Sequence, residues 1–283
     1  MVRYLASKRI PTYFKKVGIH SDRTTRNTDI VVSLTSFPAR IEYVWLVVES
    51  ILRQSLSPQK VLLWLSKQQF PTESSLPSSL KNIKDNRFEL RMVDDDIRSH
   101  KKYFYAFQEY PESIIVTVDD DTFYNPNMLL ALYQDHLLYP ESIIANCTKR
   151  ITYSDGIINQ YINWESEEKP YADRNLVQIG FGGVLYPPHS LDEDVLKQDL
   201  FMNLCPMADD LWLNGMARKH RTKVIKSSSN VIVLPIMIKN DIELTTTNVN
   251  ESRNDIQLKA LRQYYITKEA IDLFDEKYSF NEQ

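Results

Sequence analysis

An α/β protein with a mostly parallel central sheet flanked by helices is the fold this sequence predicts. Three observations carry that expectation. Short apolar, β-branched runs alternate with helix-periodic segments from Asp29 onward. One of those runs, Ser113–Val118, is uncharged throughout and ends directly in Asp119, Asp120 and Asp121. Such a run reads as a strand buried on both faces. The chain also holds only 6 glycines, and none lies in the turn after the first strand. Glycine-rich phosphate loops and dinucleotide fingerprints need several glycines in one turn, so they are excluded.

The elements follow in order. Residues 1–28 form a basic arm in which seven cations face one acid, a local +6 that leaves −9 for the rest of a chain whose total is −3. Tyr4, Leu5, Ile10, Tyr13, Phe14 and Val17 are interleaved with those cations. The pattern suits either peripheral contact with an anionic membrane face or an ordinary arm packed on the domain. A first strand, Ile30–Leu34, runs into Thr35, Ser36, Phe37, Pro38, Ala39 and Arg40. A helix from about Tyr43 to Gln54 places Val44, Val47, Val48, Ile51 and Leu52 on one face. Lys60–Leu65 is a second strand, Gln68–Leu80 a loop rich in Pro and Ser, and Phe88–Val93 a third strand. Asp94, Asp95 and Asp96 follow it, then a helix carrying Lys101 and Lys102.

Two acidic triplets therefore stand at strand ends, where open α/β sheets keep their ligands. The strand before Asp94 alternates apolar with charged residues and belongs at an edge. The strand before Asp119 belongs at the centre. Asp119–Asp121 is thus the metal-bearing tip, because adjacent carboxylates repel unless a cation neutralises them. Asp94–Asp96 is a secondary site beside a base or ribose, or a helix-capping turn. Asn125 as N-cap and Pro126 in the first helical position predict a helix from about Asn127 to Leu138.

Further on, Tyr153–Leu176 is rich in Tyr, Trp, Asn and Glu without a clear period. It suits sugar rings or a packed surface excursion equally. Gly180–Pro188 holds half of all the glycines, which fits close backbone approach to a ligand or a tight turn. Asp209 and Asp210 open a helix; the macrodipole favours acids there, and so does a general base on a rigid support. Val231–Ile238 is a strand, and Asn254 to about Leu273 a helix with Leu258, Leu261, Tyr265 and Ile266 on one side. Cys147 and Cys205 stand alone, as in a reducing compartment. No run is long enough to span a membrane and no signal pattern is visible, so the expected location is cytoplasmic, at most on the inner face of the plasma membrane. His189 and His220 are structural in this reading.

Taken in order, Ser33–Arg40, Glu49–Ser55, Asp119–Asp121, Gly182-Gly183 and Ala208–Asp210 resemble a bacterial glycosyltransferase of the GT-A fold, family 2-like, of the type that builds surface polysaccharide such as capsule or lipopolysaccharide. The likeness covers roughly residues 29–226. It implies that Asp119 and Asp121 hold Mn²⁺ or Mg²⁺ on a nucleotide-diphosphate sugar, with a UDP-sugar as the expected donor. It further implies that Thr35, Phe37, Pro38 and Arg40 cradle the nucleotide, with Asp95, Lys101, Lys102 and Asp120 nearby. Asp210, ahead of Asp209, becomes the base that deprotonates an acceptor hydroxyl of a glycan or lipid-linked glycan, with inversion. Gly182, Gly183, Tyr186 and Trp164 become the acceptor wall. A catalytic domain of 29–238, with a donor half to about 125 and an acceptor half from 126, precedes a C-terminal extension at 239–283. The sequence has Asp-Asp where Glu-Asp is common in that family, and Phe-Pro-Ala-Arg in place of a Pro-x-Tyr-Asn-Arg type loop. The alternatives are a sugar-phosphate nucleotidyltransferase, whose glycine-rich phosphate loop is missing here, and a non-catalytic glycan- or nucleotide-binding protein. No nucleic-acid partner is expected from a net charge of −3.

Overall fold

The computed structural model describes residues 2–19, 29–172, 175–229, 233–238 and 252–277. The chain runs α1 (Val2–Lys16), β1 (Ile30–Thr35), α2 (Val44–Leu52), β2 (Lys60–Ser66), α3 (Ser78–Lys81), β3 (Phe88–Val93), α4 (Lys101–Glu109), β4 (Ile114–Thr117), β5 (Thr122–Phe123) and α5 (Met128–Leu138). It continues through β6 (Ile143–Ala145), β7 (Thr148–Arg150), β8 (Tyr153–Ser154), β9 (Ile157–Ile158), β10 (Glu165–Ser166), β11 (Leu176–Gln178) and β12 (Val184–Tyr186). The last elements are α6 (Gln198–Leu204), α7 (Asp209–Lys219), β13 (Val224–Lys226), β14 (Leu234–Pro235) and α8 (Arg253–Glu269).

The central sheet has 7 strands in the order β13-β6-β12-β4-β1-β2-β3. β4, the uncharged strand, is the middle one, and β3, the alternating one, is the edge. Neighbours pair in parallel except around β12, which is antiparallel to both β4 and β6. This is a mixed α/β fold with a mainly parallel sheet.

Both faces are covered, which is why the inner strands alternate little in polarity. Ile30, Val32 and Leu34 of β1 pack with α2 and α5 on one face. Val31 meets Leu62, Trp64, Ala106 of α4 and Ile115 on the other. A second core joins β6 and β12 to α7 and α8, with Leu258, Leu261 and Tyr265 buried in it. Gly215 lets α8 approach closely: a Cβ there would lie 2.9 Å from Leu261 Cδ2. The C-terminal helix is therefore part of a core, and Ile266 lies outside its buried face.

Other local expectations are corrected. α5 starts at Met128 behind Asn127; Asn125 Oδ1 instead accepts the Asn127 N–H at 3.0 Å, an Asx turn that delays the helix past Pro126. The Pro/Ser loop contains a 3₁₀ turn at Glu73–Ser75 and the short α3. Of Val231–Ile238, only Leu234–Pro235 is strand; residues 231 and 232 lie outside the described residues, as do residues 20–28 of the basic stretch and Lys239-Asn240.

Candidate active site

The site is assembled at the carboxyl ends of β1 and β4. Gln54, just past α2, fixes the path after the triplet: its Nε2 donates to Asn125 O at 2.8 Å, and its Oε1 accepts from Leu129 N at 3.0 Å. Ser55 N–H donates to Pro126 O at 2.7 Å. Glu49 and Arg53 of the same segment turn outward, where Arg53 donates to the carbonyls of Phe14, Val17 and Gly18 and so docks α1. The Glu49–Ser55 stretch is thus a latch on both neighbours.

Within the triplet, the three carboxylates have different surroundings. Asp120 is buried, and accepts from Ser36 Oγ at 2.6 Å and from Arg40 Nη1 at 2.9 Å. It holds the β1 loop onto the strand end. Asp119 and Asp121 keep 31% and 25% of their side chains in solvent. Arg40 also reaches Asp121 Oδ2 at 2.8 Å and lies over the Phe37 ring. Burial, then the Asp119 charge, pushes the Asp121 carboxyl up to about 6.

A second acidic pair meets the first through one lysine. Lys102 Nζ lies 2.8 Å from Asp119 Oδ1 and 2.7 Å from Asp209 Oδ2. Burial would lower this ammonium, yet the charges of Asp119, Asp209 and Asp210 hold it well above its ordinary value. Burial would likewise raise Asp209, but the Lys102 charge outweighs it and keeps that carboxylate ionised. Asp210 is the opposite case. Burial and the Asp209 charge push it up to about 8, against the Gly180 N–H that donates to its Oδ2 at 3.1 Å.

Gly180 is what lets these groups meet. A Cβ there would lie 2.9 Å from Lys102 Nζ and 3.2 Å from an oxygen of each of Asp119 and Asp210. Tyr124 locks the same turn to the triplet: the Asp119 N–H donates to its Oη at 2.8 Å, and that hydroxyl donates to Phe181 O at 3.1 Å. Behind the lysine, buried His100 contacts Cys205 O and Tyr103 Oη at 2.8 Å each, and burial pushes it down to about 4, so it is neutral.

Of the residues expected at the site, Arg40, Lys102, Asp119, Asp120, Asp121, Asp209 and Asp210 converge. Thr35 is turned to the sheet, donating to Trp64 O at 2.8 Å, while Phe37 is half-buried and Pro38 exposed on the loop. Lys101 is buried against Asp96, and Asp95 is exposed beside Gln198. The expected acceptor wall is corrected. Trp164 and Tyr186 are buried in the second core, where large apolar rings belong. Gly182 serves packing: a Cβ there would sit 2.7 Å from Cys147 Sγ and 2.9 Å from its backbone N. Gly183 adopts φ 85°, which glycine alone takes freely. The solvent-exposed ring on this turn is Phe181. Ser36, Tyr124 and His100 are given no role in the sequence reading; Ser36 lies inside the Ser33–Arg40 motif and Tyr124 just after the triplet, whereas His100 has no local signal.

Among the described residues no three His, Cys, Asp or Glu side chains form a ready metal cage. Two partly exposed carboxylates, one of them raised by burial and by the charge of the other, nevertheless fit a divalent ion that would draw its remaining ligands from phosphate oxygens and water.

Fold and site together define an α/β protein with a carboxylate–lysine cluster at the end of its central strand. No family model and no curated protein matches the chain. Similar solved structures include a UTP-bound UGPase from Acinetobacter baumannii, 10% identical with a TM-score of 0.42, and a UDP-glucose pyrophosphorylase from the same organism, 9% identical with a TM-score of 0.44. Each alignment covers 86% of this chain and 95% of the other. At that similarity the neighbours carry no argument about this chain's chemistry.

Proposed function

We propose that the chain is a nucleotide-sugar-dependent transferase, and that within this class it moves the sugar to an acceptor hydroxyl. The observation that carries the reading is the convergence at one end of the sheet of the triplet and the helix-borne acids. Lys102 bridges Asp119 and Asp209, and the Gly180 N–H holds Asp210, at the rigid start of α7, beside them, where burial pushes its carboxyl up to about 8. A base tuned near working pH suits removal of a hydroxyl proton and contributes about 10²–10⁴-fold. Asp119 and Asp121 would hold a divalent ion on the donor diphosphate, and when bound it supplies charge neutralisation of the leaving group. Lys102, by bridging Asp119 and Asp209, ties the donor element to the base element. The Gly180 N–H orients Asp210, and the donor half (29–125) and acceptor half (126–238) meet at this turn.

Nucleotidyl transfer, the chemistry for which the two structural neighbours are named, is the second reading. Its nucleophile is a phosphate, which needs cations to clamp it and no base to deprotonate it. Arg40, Lys101 and Lys102 are each already bound to carboxylates, and Thr35–Arg40 contains no glycine. Both features favour sugar transfer.

The discriminating experiment supplies a panel of nucleotide sugars with Mn²⁺, with and without pyrophosphate. Release of the nucleoside diphosphate, abolished by EDTA and lowered about 10²–10⁴-fold in Asp210→Asn, supports the proposal. Formation of a nucleoside triphosphate from pyrophosphate replaces it with the second reading. Nucleotide binding without turnover makes the protein a binder.

A further inference from the structure

From α1 we infer a second functional surface, a dock for an anionic lipid bilayer, which stands apart from the reading of the catalytic cluster. α1 has two faces. Ile10 and Phe14 turn inward to the main core, Ser7 Oγ accepts from Met237 N at 3.1 Å, and Arg53 grips the carbonyls that follow. The outer positions 4, 5, 8, 9, 12, 13 and 16 are exposed at spacings of three and four residues, one side of a helix. They present Lys8, Arg9 and Lys16 with Tyr4, Leu5 and Tyr13, and Lys15 flanks them over Trp45. No acidic residue occurs anywhere in Val2–Lys16.

This composition fits one occupant. Cations gather where the partner is anionic, while large apolar side chains left in water beside them suit a partner with a greasy layer under its charge. A long nucleic acid would have to run on over a remainder that carries −9. A bilayer can be met by the exposed side of this basic helix. The surface is also tied to the candidate site: Asp121 O accepts from Ile236 N at 2.6 Å, and the next residue, Met237, is the one bonded to Ser7. Segment 236–237 therefore links the inner side of α1 to the triplet.

The test is sedimentation of the full chain with vesicles of phosphatidylcholine alone and with one third phosphatidylglycerol, at about 0.1 M salt. Binding is expected to the anionic vesicles only, and to weaken at high salt. The triple variant Lys8→Glu/Arg9→Glu/Lys16→Glu, all at exposed positions, should lose more than about fiftyfold in affinity, since each cation near such a surface is worth about fivefold. Tyr4→Ser/Leu5→Ser/Tyr13→Ser should lose a further, salt-independent part, on the order of tenfold. Equal binding to neutral vesicles, an unchanged charge variant, or binding to duplex DNA with none to vesicles would overturn the inference. Unchanged melting curves for both variants establish that any loss is of the surface and not of the fold.

Discussion

The two acidic triplets are the same three letters at the ends of two parallel strands that follow one another in the chain but are separated in the sheet by β1 and β2, and only the central one gathers distant elements around it. Asp94, Asp95 and Asp96 follow the edge strand β3. Asp94 meets Lys67 out in solvent, Asp95 is exposed, and Asp96 binds Lys101 and Gln69. Asp119, Asp120 and Asp121 follow the middle strand β4, where elements crowd from both sides. Asp120 is buried against Ser36 and Arg40, and Asp119 shares Lys102 with a helix about ninety residues onward. Position in the sheet decides the difference, because only at its centre can other elements desolvate the charges and raise their interaction energies. The adjacent lysines Lys101 and Lys102 opening α4 each take one triplet.

The sharpest way to break the contrast is to remove one lysine partner from each triplet, buried Lys102 from the central one and exposed Lys67 from the edge one. Lys102→Met leaves Asp119, Asp209 and Asp210 facing one another without their shared cation, and should cost about 3–5 kcal/mol in urea unfolding. Lys67→Met, which strips Asp94 of an exposed partner, should stay within about 0.5 kcal/mol. Next in size, Asp120→Asn should cost about 2–4 kcal/mol by leaving Arg40 under-compensated, against less than about 0.5 kcal/mol for Asp95→Asn.

A pH series sharpens it further. Asp121 and Asp210 have folded values raised to about 6 and about 8. The native state therefore holds protons that the unfolded chain has released above its ordinary carboxylate value near 4. Stability from these two groups is full below that value and is lost as pH rises through 6 and then 8. In EDTA, Asp210→Asn should flatten the upper part of that fall and gain about 1–3 kcal/mol at pH 8; a variant as pH-sensitive as the parent would reject the assignment.

The triplet contrast was readable in the sequence, since uncharged Ser113–Val118 against alternating Phe88–Val93 already separates centre from edge. The order and type of the main strands and helices followed from the same patterning. What patterning could not give was the meeting of distant segments. Nothing local pairs Lys102 with Asp209, or places Gly180 between Asp119 and Asp210; these contacts exist because α4, α7 and the β11–β12 turn share one end of the sheet. Aromatic content misled for Trp164 and Tyr186, because stacking on a sugar and packing in a core call for the same side chains. The distinction is burial, which the residue type alone does not show.

The most direct measurement is the melting shift on adding UDP with Mn²⁺, in the parent chain, in Asp119→Asn/Asp121→Asn and in Asp94→Asn/Asp95→Asn. The central triplet as the diphosphate–ion site predicts a rise of about 5–10 °C at a hundredfold excess over Kd. That rise should vanish in EDTA and in the first double variant and persist in the second. A rise that survives Asp119→Asn/Asp121→Asn, or that is lost only in Asp94→Asn/Asp95→Asn, would contradict it.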